Sequence, residues 1–167
     1  MSLTIRRIVM NAAVAALYVV LTLVSAPFAF LDIQFRISEM LMLLCFFRKD
    51  YTVGLTIGCL IANVLLSPIA VDFLLGTLAT LLACLAMCFC KHMVVAMFMP
   101  VITNGIIVGL ELTYFYQLPT SLLHNMVFVA IGELAVMAVG YVISIFIFKR
   151  KKMLEFFQAN QNLDWKF

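Results

Sequence analysis

The sequence predicts an all-α integral membrane protein, a compact bundle of transmembrane helices with almost nothing left over for a soluble domain. Three observations carry this. Of 167 residues, 66% are apolar and only 11% charged, where a soluble domain has about 45–50% and about 25%. Mean hydropathy is +1.16, so in water the chain would expose apolar surface on a scale that soluble monomers avoid, and disorder is excluded because low hydrophobicity is its precondition. The polar residues gather in short breaks between long apolar runs.

The first run, Ile8–Phe30, is long enough to span and too long for the apolar region of a cleavable signal; Leu3–Met10 extends it into the interface. The second, Ile37–Phe47, has eleven residues with Ser38 and Glu39 at its start, and taken alone is either a short span or a re-entrant segment. Tyr51–Leu66, Phe73–Cys90, Met93–Tyr116 and Leu122–Phe148 are the remaining spans. The tail, Met153–Phe167, alternates apolar and polar residues and ends with Trp165 and Phe167, which predicts a short cytoplasmic interfacial helix. No repeat or linker divides the chain, so residues 1–152 are expected to form one membrane domain and 153–167 its tail.

Charge orients the runs. With six spans and an internal N-terminus, ten of the eleven Lys and Arg residues are cytoplasmic and only Arg36 is outside; with five spans and an external N-terminus, nine are inside. The two topologies agree from Tyr51 onward. The breaks at Ser67–Asp72 and Gln117–Ser121 then face outward, and the basic run Lys149, Arg150, Lys151, Lys152 faces the cytoplasm.

Enzyme signatures are absent: there is no GxxxxGK[ST] phosphate loop, no HExxH and no GxSxG. Neither enzymatic activity, a cofactor nor a nucleic-acid partner is expected. The five cysteines, Cys45, Cys59, Cys84, Cys88 and Cys90, lie in apolar runs and read as small packing residues. Cys84, Cys88, Cys90 and His92 resemble a metal cluster only in composition, because Cys90 leaves the helix face the other two share, and no metal is expected.

The informative residues are the polar ones inside the spans, since a carboxylate near a bilayer centre costs about 2.5–3.5 kcal/mol and usually faces a cavity with a role. Glu133 is near the middle of the last run and Glu111 within two turns of the outer end of the fifth. Asn104, seven residues before Glu111, shares its face. Asn63 sits near the outer end of the third run, Asp72 opens the fourth, Arg36 and Glu39 stand at the outer mouth of the second, and His124 and Asn125 open the last. Tyr114, Tyr116, Phe115, Phe73 and Phe128 lie at similar depth. Carboxylates, amides and aromatic faces at one depth describe a pocket for a flat, hydrogen-bonding solute. Simpler readings stand beside this one: Arg36 and Glu39 pair three residues apart, Asp72 caps the fourth helix, Asn104 bonds another helix, and the aromatics form an interfacial belt. Near the start, Ala12 and Ala16 make an AxxxA face, and Gly54/Gly58 and Gly105/Gly109 make GxxxG pairs. Such faces let helices approach closely, within the bundle or against a partner.

Three stretches, AALYVVLTLVSAPFAFLDIQFRISEML, GLTIGCLIANVLLSPIAVDFLLGTLATLLA and PVITNGIIVGLEL, resemble the QueT family, the substrate-capture subunits of energy-coupling-factor (ECF) vitamin transporters assigned to queuosine precursors. The resemblance implies a six-transmembrane-helix bundle with both termini cytoplasmic, in the bacterial cytoplasmic membrane, with a pocket open to the exterior and the loop Phe30–Arg36 as its lid. It implies docking on a membrane scaffold protein coupled to two ABC-type ATPases, with Ala12 and Ala16 as the docking face. The solute implied is a 7-deazaguanine such as queuine or 7-aminomethyl-7-deazaguanine, whose parallel N–H donors suit a carboxylate fork and whose amine suits a second carboxylate. Glu111, Glu133, Asn104, Asp72, Asn63, Glu39, Arg36 and Tyr114 are the candidate binding residues. Two other functions compete. A stand-alone proton-coupled carrier for a small flat solute would use Glu133 and favours inverted repeats, which are not found. An intramembrane enzyme would need His124 and Glu133 in contact, yet nine residues on one helix place them about 13 Å apart.

Overall fold

The structure, a computed structural model, describes residues 3–29, 35–67, 70–117 and 119–164. These residues are helical throughout their ordered elements. The order is α1, Leu3–Ala29; a 3₁₀ helix, Ile37–Leu43, that runs directly into the single turn α2, Leu44–Phe47; α3, Tyr51–Leu66; α4, Asp72–Met87; α5, Met93–Tyr114; α6, Leu122–Phe148; and α7, Lys151–Phe156. Three apolar stretches are long enough to cross a membrane, Thr4–Ala26, Met93–Tyr114 and Leu122–Phe148, while Ile37–Phe47, α3 and α4 are apolar but shorter. Large apolar side chains such as Val24, Leu65, Leu123 and Phe146 stand exposed on the outside of the bundle, as lipid rather than water as the surrounding solvent requires.

Around the bundle α1 packs on α3, α3 on α4, α4 on α5 and α5 on α6, and the 3₁₀ segment bridges α6 and α1. That segment with α2 is the most enclosed part of the chain: Ser38, Glu39 and every residue from Met42 to Arg48 are buried. Its 3₁₀ form has a physical consequence. At about 2.0 Å per residue for the 3₁₀ part and about 1.5 Å for the α turn, eleven residues reach about 20 Å instead of about 16 Å. Tight helix contacts use the small residues. A Cβ on Gly54 would sit 2.6 Å from the Asn11 carbonyl oxygen and one on Gly58 2.9 Å from that of Ala15, so α1 meets α3 through Asn11, Ala15 and Tyr18.

Apart from Arg36, the described basic residues gather at one end of the bundle, where Arg7 pairs with Asp50 at 3.8 Å and Lys49 lies over the Phe89 ring. The structure departs from the expected elements in three places. The fourth helix ends at Met87, because Cys88 to Cys90 form a turn, and the fifth ends at Tyr114. The tail helix stops at Phe156, and the chain then turns back under α2 with left-handed backbone at Gln158 and Asn162. There the Asn160 and Gln161 N–H groups donate to the Phe47 carbonyl, the Asn162 side chain donates to the Phe46 and Cys90 carbonyls, and the Tyr51 hydroxyl donates to the Phe157 carbonyl. The last carbonyls of a helix lack partners within it, and the returning tail supplies them. Trp165 and Phe167 lie outside the described residues.

Candidate functional site

Away from the basic end, polar side chains from six helical elements meet in the interior. The deeper group forms around the start of the second segment. Glu39, one turn into the 3₁₀ helix, faces Arg36 at 3.5 Å through Oε1 and accepts from Asn104 Nδ2 at 2.8 Å through Oε2. Glu133 of α6 lies against both Glu39 and Asn104. Arg36 also reaches Cys59 of α3 and sits beside Tyr18 of α1. The Thr22 and Ser38 hydroxyls share a 2.7 Å bond that pins α1 to the second segment.

The shallower group lies where α4 begins and α5 ends. Asp72 is the first residue of α4, and its Oδ2 accepts from the Ser67 hydroxyl and from Tyr116 Oη at 2.9 Å. Burial, and then the Asp72 carboxylate, push the Tyr116 phenol above its ordinary range, so it keeps its proton and donates. Glu111 lies within hydrogen-bonding reach of Asp72. Asn63 Nδ2 donates to the Asp72 backbone carbonyl at 3.0 Å. Asn104 and Glu111 are seven residues apart on α5, so the two groups are separated by about 10 Å along the helix axis, and the Arg36 charge acts on both Glu111 and Glu133.

Glu39, Asn63, Asp72, Asn104, Glu111 and Glu133 are each 5% exposed or less. Four oxygens among them have no hydrogen-bond partner: Glu111 Oε1, Glu133 Oε1, Asp72 Oδ1 and Asn63 Oδ1. Every one is an acceptor, and an unpartnered buried acceptor costs about 1–3 kcal/mol. These four oxygens lack donors, and a solute rich in N–H groups would supply them.

The structure thus brings seven of the eight candidate binding residues together and leaves out Tyr114, which is 64% exposed on the outer surface of α5. Two residues further on, Tyr116 reaches Asp72 in its place. The Arg36–Glu39 pair does form, as the simpler reading expected, but Asp72 does not cap α4: Val71 holds that position, and the Asp72 side chain turns to Ser67 and Tyr116. Asn125 bonds Thr113 and so joins α6 to α5, while the exposed His124 ring stacks on Phe128, away from Glu133. Sequence reasoning does not single out Ser67, Tyr18 or Cys59 for this cluster; the available signal is a tyrosine in the middle of the apolar first run. Gln34 and most of the Phe30–Arg36 loop lie outside the described residues. Among the described residues no three His, Cys, Asp or Glu side chains are placed to hold a metal ion, and all five cysteines are free.

Two apolar cavities lie apart from this cluster. One, of about 190 Å³, is lined by α1, the second segment and α6, with Phe157 at its edge. The other, of about 660 Å³, is an open groove along α1 and α3 lined by Ala12, Ala15, Ala16, Gly54, Ile57 and Ile61. Ala12 and Ala16 are exposed in it, because the α1–α3 packing uses a different face of α1.

Membrane-length apolar helices around a buried polar interior define a multi-pass helical membrane protein. Residues 8–149 match the family described as QueT transporter, and the chain belongs to that family. A 76-residue segment is 49% identical to the queuosine precursor transporter QueT of Lactococcus lactis subsp. cremoris (strain MG1363), covering 44% of this chain and 44% of that relative. No solved structure matches.

Proposed function

We propose that this chain is the substrate-binding subunit of an ECF-type importer. It captures a queuosine precursor, a 7-deazaguanine such as queuine or 7-aminomethyl-7-deazaguanine, and delivers it inward when docked on a membrane scaffold protein and two ABC-type ATPases. The bundle crosses a bacterial cytoplasmic membrane six times, with the basic end and both termini in the cytoplasm and the polar cluster in the outer half. The observation that carries this reading is the set of buried acceptors without donors at Glu111, Glu133, Asp72 and Asn63. A deazaguanine edge offers N1–H and an exocyclic amine as parallel donors, which a carboxylate accepts as a fork. The relative's name supports the choice of solute, and the exposed Ala12–Ala16 groove supports close docking of a partner helix.

Isothermal titration of the purified subunit with 7-aminomethyl-7-deazaguanine tests the reading. Saturable binding is expected, and Glu133→Gln, which turns one acceptor oxygen into a donor, should weaken it by about 1.5–3 kcal/mol, or about 10- to 150-fold. Absence of binding to the folded wild-type protein would end this assignment. Orientation is tested separately. An impermeant maleimide should modify Ser121→Cys in intact cells and Lys152→Cys only after permeabilisation.

A further inference from the structure

The two polar groups differ in charge balance, and the difference divides the labour of recognition between them. In the deeper group the Glu39 carboxylate already has a cation, Arg36, and an amide donor, Asn104. Glu133 Oε1 stays open there, an acceptor beside an already compensated pair. In the shallower group Asp72 and Glu111 lie within hydrogen-bonding reach of each other, 3% and 2% exposed. The Ser67 and Tyr116 hydroxyls, both neutral, donate to Asp72 Oδ2. Asp72 Oδ1 and Glu111 Oε1 have no partner. Two acidic side chains with neutral donors and spare oxygens suit a group that brings several N–H donors together with positive charge, and an ammonium does both with three donors on one atom.

We propose that Asp72 and Glu111 form the subsite for a protonated amine on the solute, while Glu133, beside Glu39 and Asn104, reads the uncharged donor edge of its ring. This rests on the solute being a 7-deazaguanine. Such a fused ring carries its donor edge at one end and its amine substituent at the other. The groups are separated by about 10 Å along α5, a distance that such a molecule bridges once a hydrogen bond of about 2.9 Å is added at each end. Tyr116 and Ser67 then act as positioning residues, holding Asp72 Oδ2 so that Oδ1 is left for the amine.

The test compares two compounds on four proteins. 7-Aminomethyl-7-deazaguanine carries the ammonium; 7-cyano-7-deazaguanine keeps the same ring and donor edge with a neutral nitrile. Titrated calorimetrically, wild type should prefer the amine by at least about tenfold, the scale of one charge-assisted bond. Asp72→Asn and Glu111→Gln, each checked for a retained melting transition, should both reduce that ratio to near one. Glu133→Gln should weaken both compounds and leave the ratio standing. A ratio that survives in both Asp72→Asn and Glu111→Gln, or that collapses in Glu133→Gln, overturns the assignment. Wild type binding both compounds equally overturns it while leaving the proposed solute class intact. If wild type binds neither, the functional reading fails and the assignment with it.

Discussion

The two ends of this bundle bury charge in opposite ways. At the basic end Arg48, only 1% exposed, has its guanidinium matched: Nε and Nη2 donate to Asp50 and Nη1 donates to Gln158, with the Tyr51 ring beneath it. The atoms without partners there are neutral amide atoms, Gln158 Nε2 and Gln161 Oε1. In the polar cluster toward the other end, the atoms without partners include three carboxyl oxygens and one amide oxygen. Buried polar groups in native proteins are nearly always paired, and ionisable groups inside a membrane are rare and usually functional. Matched charge at one end therefore reads as architecture, holding the tail against the short second segment. Unmatched acceptors in the cluster read as a site that a solute completes.

The sharpest way to break this comparison is to unmatch the matched end. Arg48→Ala takes the donor from Gln158 Oε1, leaves Asp50 to Arg7 at 3.8 Å and undoes the seat of the tail. Breaking a buried pair costs about 3–5 kcal/mol, and since Asp50 is 43% exposed, a loss near about 3 kcal/mol is expected. Thermal unfolding in detergent would measure it, and the affinity of the protein that remains folded should be unchanged. Equal loss of affinity and stability would mean the ends are not separate.

Glu133→Gln should give the opposite pattern. Replacing a buried carboxyl by an amide of the same shape should leave the melting temperature unchanged or raise it, while solute affinity falls as given above. A melting temperature lowered by as much as in Arg48→Ala would make Glu133 architectural. Tyr116→Phe removes one donor to Asp72, and half-burial limits its effect to about 1 kcal/mol of stability. The smallest intrinsic effect belongs to Ala12→Trp with Ala16→Trp. Both positions are exposed, so melting and solute binding should not change, while co-purification of the ATPase module and uptake should be lost. A drop in solute binding would place those alanines in the subunit's own packing.

Much of this was legible before any coordinates. The helical runs Tyr51–Leu66 and Leu122–Phe148 have the bounds read from hydropathy, because apolar length and flanking polar breaks are local properties. The candidate acids and amides stood out because a polar residue in an apolar run has no local use for its charge. Length alone could not say what the second run does. It is enclosed as a 3₁₀ segment among α1, α3, α4, α5 and α6, and its neighbours were needed to show that.

What the sequence by itself determined is therefore the class of protein and which side chains must find partners inside it, since both follow from composition and from the cost of burying charge. Only the tertiary structure decided who the partners are. Asp72 could have capped its own helix, yet the turn before α4 and the end of α5 bring Ser67 and Tyr116 to it instead. Tyr114 and Tyr116 look alike in sequence, but the first is left on the outside of α5 and the second, just past the helix end, turns back inward. The tail reads as an isolated interfacial helix until the open carbonyls of Phe46 and Phe47 are placed above it, and its amides turn back to meet them. Each of these choices was made by a group distant in sequence, where local pattern carries no information.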